Sequence, residues 1–327
     1  MQGVSLRNLA ATGPILLAVP NVSEGRSSST IAAIAAAFLP DRSAAAGLGV
    51  APRLLDVHSD ADHHRSVFTL AGTQGLLADA LLAGAATAVE SIDVMHRVDA
   101  ERQAAQHPHV GSVDVMPIVY LELGARGAAC AVALVVAERI GHELAVPVFL
   151  YGELTADGSH AARSRAELRR GGVAGLAERM RKGAGQGRGL VPDFGPSRLH
   201  PRAGAVLVSA RPPLVAFNLQ LAEPATLADA RRIAALVREG GELGLPGLRA
   251  IGVLLDGQIA QVSMNVERPF ELPLAAVVQA VQRHAKLASA ELVGLAPAAA
   301  LEGFPPELAM PGFDPHRHVI ENALGCW

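Results

Sequence analysis

The stretch HPHVGSVDVMPIVYL, from His107 to Leu121, sets two histidines, a proline and a glycine in front of a strongly apolar run that carries Asp114 near its start. Read as a loop entering a β-strand, it closes an ordered series that begins at ILLAVP (15–20), a short buried strand. SSSTIAAIAAAFL (27–39) reads as a helix whose serines cap its first amides. RLLDVH (53–58) and RSVFTLAG (65–72) read as strands, and GLLADALLAGAATAVESI (75–92) as a helix with apolar residues at three- and four-residue spacing. With VDVMPIVYL (113–121) the order becomes strand, helix, strand, strand, helix, strand, the split motif of ferredoxin-like layers. Pro117 predicts a kink or a sheet edge.

A further helix (128–144) and strand (146–151) extend the series. The run 162–189 starts helical and turns Gly-rich and basic, which predicts a linker and a domain boundary near Gly189. Beyond it the same order recurs: AVLVSA (205–210) and PLVAFNLQL (213–221) as strands, a helix over 226–240, and two strands about an Asp256-Gly257 turn. A helix near 274–287 and a strand through ELVGL (291–295) complete it. The expected fold is therefore α/β (α+β): two tandem ferredoxin-like subdomains, 14–189 and 190–303, with mixed sheets, helices on one face and a ligand groove between them. Residues 304–327, rich in proline at their start, are expected to form an irregular extension.

With 327 residues, half of them hydrophobic, the chain has material for two cores. A net charge of −3 and 3% aromatic residues supply neither the basic footprint nor the stacking platforms of a nucleic-acid binder, which excludes that class. Cys130 and Cys326 cannot build a disulfide framework. The start lacks a signal-peptide pattern, and the longest apolar run (128–137) is about half of what a bilayer requires. These features predict a cytoplasmic protein without membrane partners.

Chemistry concentrates where the first strands end. DVHSDADHHR (56–65) and the opening stretch together hold His58, His63, His64, His107 and His109. Histidines two apart on extended chain share a face, so His107 and His109 could ligate one metal, the pattern of a metal-dependent hydrolase. An acid-base reading needs only one imidazole, which takes and returns a proton near neutral pH. Pro108 holds His107 in extended geometry, and Gly111 permits close approach to the backbone. VPNVSEGR (19–26) offers Asn21, Ser23, Glu24 and Arg26 at a strand end, where ligands commonly bind. Nearly all cations are arginine, suited to bidentate recognition of carboxylates or phosphates.

Taken together these loops resemble the formiminotransferase family. The resemblance runs from about Leu17 to Leu301 and rests on VPNVSEGR, LLDVH followed by HRSVFTLAG, HPHVGSVDV, VPVFLYGE, PDFGPS, LVAFNLQL, IAQVSMN and ELVGLAP, in that order. It implies transfer of a formimino group from N-formimino-L-glutamate to tetrahydrofolate in histidine breakdown, with tetrahydrofolate as co-substrate and no metal; the apolar composition of the chain, for its part, makes a homodimer the expected assembly. The family's catalytic histidine maps to His107. Its folate-lining segment maps to Gly195, Pro196, Ser197, Arg198, Leu199, His200, Pro201, Arg202, Ala203 and Gly204. His58, Arg65, Gly111 and Asp114 join Asn21, Ser23, Glu24 and Arg26 as expected substrate contacts. The expected match is to the transferase part alone, without a cyclodeaminase domain. His58 stands where the family usually has an acidic residue, and His64 where asparagine is common. A folate-binding homologue with another one-carbon donor or no activity is the alternative, and the metal-dependent hydrolase a second one.

Overall fold

In a computed structural model the described residues are 13–39, 51–96, 108–155, 163–186, 189–256 and 258–325. His107, the expected catalytic residue, lies outside them. The chain divides into two compact units, Met1–Pro212 and Pro213–Trp327.

In the first unit, β1 (Leu16–Ala18) and β2 (Asn21–Val22) behave as one interrupted strand between β4 (Arg65–Gly72) and β5 (Val113–Tyr120). β3 (Arg53–Asp60) pairs with the outer side of β4, antiparallel. On the other side of β5, β7 (Val206–Arg211) runs parallel to it and parallel to β6 (Val148–Leu150). Helices α1 (Ser28–Ala37), α2 (Gln74–Ser91) and α3 (Arg126–Glu143) contribute to one core with Phe38, Phe68, Leu81, Met116 and Ile140. α2 earns its place by spacing: Leu77, Leu81, Ala85 and Ala88 recur at helical intervals and are fully buried.

The second face of the same sheet is also covered. Val115, Phe149 and Leu207 point away from the first core and meet Leu168 of α4 (Arg165–Arg169) and Leu176 and Met180 of α5 (Gly172–Gln186). Helices on one face only, as the sequence predicts, therefore does not hold here. The parallel strands β5, β7 and β6 are apolar on both sides, and parallel strands require cover on both. This cover is made by the run that reads as a linker. The division consequently falls between Pro212 and Pro213 and not near Gly189, and the AVLVSA strand belongs to the first sheet.

Pro117 is neither at an edge nor in a kinked end; it sits in β5 between β1 and β7. Its carbonyl accepts from the Val19 N–H at 3.0 Å, but it has no N–H to return to the Val19 carbonyl. The Asn21 side chain supplies that missing donor, its Nδ2 reaching Val19 O at 2.9 Å.

The second unit follows the order β8 (Val215–Leu221), α6 (Leu227–Val237), β9 (Leu248–Leu255), β10 (Ile259–Val266), α7 (Leu274–Gln282), β11 (Leu287–Val293). Its sheet, ordered β11-β8-β10-β9, is antiparallel throughout and not mixed. Thr226 and Asp229 form a capping box at the start of α6. Phe217, Leu219, Val262 and Met264 face the helices' Ile233, Val237, Val277 and Val281. β9 and β10 form the expected hairpin, with Ile259 opposite Leu255; Gly257 lies outside the described residues. The tail, expected to be irregular, carries α8 (Pro315–His318) and α9 (Ile320–Leu324), and Ala296 both donates to His318 O and accepts from Ile320 N–H at 2.9 Å. The first unit's β1/β2, β3, β4 and β5 lie in the same relative order as β8, β9, β10 and β11 of the second.

Candidate functional site

At one end of the first sheet three chain segments and one helix meet. β2 leaves the sheet at Ser23, β3 turns into β4 through 61–64, β5 begins after Val110, and α4 ends at Arg169. Between them is a small cleft of about 20 Å³, lined by Asn21, Val22, Ser23, His63, His64, Arg65, Pro108, His109, Asp114 and Arg169.

Hydrogen bonds fix the walls. The buried Ser23 hydroxyl donates to Gly111 O at 2.7 Å, and its N–H donates to Ser112 O at 2.9 Å. Both ties act on the backbone just past the His-Pro-His sequence. Glu24, 4% exposed, accepts from the N–H groups of Arg26 and Ser27 at 2.9 and 3.0 Å and so closes the approach to α1. Ser66 donates to Glu24 O at 2.6 Å, joining this loop to β4. His64 has a positive φ of 48°, and its Nδ1 accepts from Gly25 N–H at 3.2 Å. Asp114 is 6% exposed; its Oδ1 accepts from Val110 N–H at 2.9 Å, and its Oδ2 is paired with Arg169.

Gly111 serves a different purpose from the one its sequence context implies. A Cβ there would stand 1.9 Å from Ala205 O, so the close approach it permits is to the chain itself. Gly204, at φ +69°, forms a bridge with Gly111, and Ser112 N–H donates to Ala203 O at 2.9 Å. The end of the expected folate segment is thereby stitched to the loop that follows His107. Its beginning is elsewhere: Gly195 packs against Gly141, and Ser197 and Arg198 are exposed. Neither of these two lines the cleft.

The electrostatics follow from burial and partners. Burial would raise the Asp60 carboxyl, but the His63 ring and amide hydrogen bonds, with the charges of His63 and Arg65, outweigh it and hold the acid well below the ordinary range. Arg65 is lowered by burial first and by Arg169 second, against the pull of Asp60 and Asp114. His200 is lowered by burial and by Arg202, and its Nδ1 accepts from Ala203 N–H at 2.9 Å.

Of the expected contacts, Asn21, Ser23, Arg65 and Asp114 line the cleft, and Glu24 and Gly111 hold its walls. Asn21 and Ser23 spend side-chain donors on the backbone, as does Arg26, whose Nε donates to Ala61 O at 3.0 Å. Arg202 is turned to Asp93 and Glu90 O. His58, on β3 opposite Val67, is not among the lining residues. Arg169 was missed: in the sequence it stands in a run that reads as linker, and only its reach to Asp114 reveals it. Among the described residues no three His, Cys, Asp or Glu side chains are placed to hold a metal ion, and no helix is long and apolar enough to cross a membrane.

Comparison with known proteins adds to this geometry. Residues 15–211 match the family described as "Formiminotransferase domain, N-terminal subdomain". A protein of Streptococcus pyogenes serotype M1 named glutamate formimidoyltransferase is 33% identical over 317 residues, covering 95% of this chain and 98% of its own. A protein of that name from Thermoplasma acidophilum is 30% identical over 289 residues, 86% of this chain and 88% of its own. The formimidoyltransferase-cyclodeaminase of Gallus gallus is 34% identical over 294 residues, 86% of this chain and 50% of its own length.

Proposed function

Because the chain belongs to the formiminotransferase family, we propose that it transfers a formimino group from N-formimino-L-glutamate to tetrahydrofolate, giving 5-formiminotetrahydrofolate and glutamate. In this reading each unit is a ferredoxin-like subdomain, and the enzyme is cytoplasmic. The observation that carries it is the convergence, in one cleft, of three loops that bear the family motifs: 19–26, 61–66 and 108–115.

His107 is assigned the proton traffic. The ring amine of the reduced pterin attacks the formimino carbon as a neutral nucleophile and becomes cationic as the bond forms. His107 accepts that proton, then gives one to the glutamate nitrogen as its bond to the same carbon breaks. Protons balance over the cycle, and the step calls for no covalent enzyme intermediate. Ser23 and Asp114 hold the backbone at Gly111, Ser112 and Val110, the residues that follow His107-Pro108-His109 in the sequence. The 200–204 segment, fastened to the same backbone, is assigned to the folate.

Of the two departures from the family pattern, His58 does not line the cleft and His64 does. The test is spectroscopic: protein, tetrahydrofolate and N-formimino-L-glutamate are mixed, and the absorbance of the modified pterin is followed. His107→Ala is expected to lose at least about 100-fold in transfer while still binding tetrahydrofolate. Near-normal turnover of that variant would remove His107 from the mechanism.

A further inference from the structure

The cleft holds two guanidinium groups, one committed and one not. Arg169 is paired with Asp114 through one terminal nitrogen, while its buried Nε has no hydrogen-bond partner among the described residues. Arg65, at the first position of β4, makes no side-chain hydrogen bond or ion pair among the described residues. Each cation raises the cost of the other, and burial adds to it. Among the described residues only one of the two guanidinium groups has a carboxylate partner; a ligand carboxylate between them would add charge-assisted contacts to both.

We propose that Arg65 and Arg169 together form the subsite for the α-carboxylate of the amino-acid donor. This rests on the reading that the donor is a formimino amino acid, and it concerns the same cleft. Three observations select that carboxylate. The cleft volume, about 20 Å³, is of water size, which suits a compact group such as a carboxylate oxygen. Pro108, the neighbour of His107 in the chain, lines the same cleft. In N-formimino-glutamate the α-carboxylate is one carbon removed from the nitrogen that must be protonated, whereas the carboxylates of tetrahydrofolate lie beyond its whole aminobenzoyl spacer. The other arginines of the matched loops are engaged or remote: Arg26 with Ala61 O, Arg202 with Asp93, and Arg198 exposed away from the lining.

The experiment is calorimetric titration of the full chain with L-glutamate, with its α-amide, and with tetrahydrofolate, using wild type, Arg65→Gln and Arg169→Gln. Among the described residues Arg65 makes no side-chain hydrogen bond, so its variant keeps the test valid if loss of the Asp114 pair destabilises the Arg169 variant. Arg65→Gln is expected to weaken L-glutamate at least about tenfold, as for a lost charge-assisted contact. The wild type should bind the α-amide as weakly as the variant binds L-glutamate, and tetrahydrofolate affinity should change by less than about twofold. L-glutamate affinity that does not depend on Arg65, or a loss that falls on tetrahydrofolate, overturns the assignment. Turnover of N-formimino-L-glutamate by the wild type is measured alongside: its absence defeats the transferase reading, while an Arg65-dependent affinity for L-glutamate would still uphold the subsite.

Discussion

Replacing Asp114 with alanine should do more damage than its single position implies. The carboxylate is 6% exposed, holds Val110 N–H at 2.9 Å, and neutralises an Arg169 side chain that is 13% exposed. Removing it leaves a largely desolvated guanidinium without its partner, a change that costs about 3–5 kcal/mol, because the remaining charge has neither water nor a counterion. Asp114→Asn keeps an acceptor for Val110 and should recover about 1 kcal/mol of that loss. Asp114→Ala combined with Arg169→Met should cost less than Asp114→Ala alone, since no charge is stranded. The assay is urea unfolding in a Trp327→Phe background, followed by tyrosine near-ultraviolet dichroism: both tyrosines, Tyr120 and Tyr151, belong to the first unit and then report on it. A loss under about 1 kcal/mol for Asp114→Ala, or a double variant weaker than the single by the full cost of a second deletion, would refute the claim that this pair is buried and coupled.

Three other outcomes are expected. Gly111→Ala sets a methyl group 1.9 Å from Ala205 O, so the loop must move; transfer should fall steeply and the first unit should lose about 1–3 kcal/mol, read from kcat and the same urea melts. Asn21→Ala leaves Val19 O, opposite Pro117, without its side-chain donor and should cost about 1–3 kcal/mol in those melts, whereas Asn21→Asp should not restore it because a carboxylate cannot donate. Asp60 titrates below its ordinary 3.8 when folded, so its contribution is present above that pH and is lost as pH falls below it; the Tm gap between wild type and Asp60→Asn should therefore close on acidification through 3.8. A gap that persists unchanged in acid would show that the His63 contacts do not depend on the charge.

The elements of the first sheet were legible wherever a local pattern encodes a face. β4 and α2 fall where a short, nearly continuous apolar run and three- to four-residue spacing place them, because those patterns are carried by neighbouring residues. The loops around Ser23 and Gly111 were legible as polar, Gly-bearing strand ends; that they come together at one cleft is a product of the fold. Their detailed roles were not legible. Ser23 and Asn21 look like ligand contacts in sequence, yet in the fold their hydrogen bonds go to Gly111 O and Val19 O, acceptors whose nearness depends on strand pairing.

What the sequence determined by itself was the order of the strands and of the main helices between them, and the identity of the motif-bearing loops, all of which are properties of short windows. Tertiary structure alone decided that β7 joins the first sheet between β5 and β6, that Pro117 sits in an interior strand opposite Val19, whose carbonyl takes its donor from the Asn21 side chain, and that Arg169 reaches Asp114 from a run that reads as linker. Each of these is a choice of partner between residues far apart in the chain. A window shows that a strand, a proline or an arginine needs something opposite it, but which distant group meets that need is settled only when the whole sheet packs.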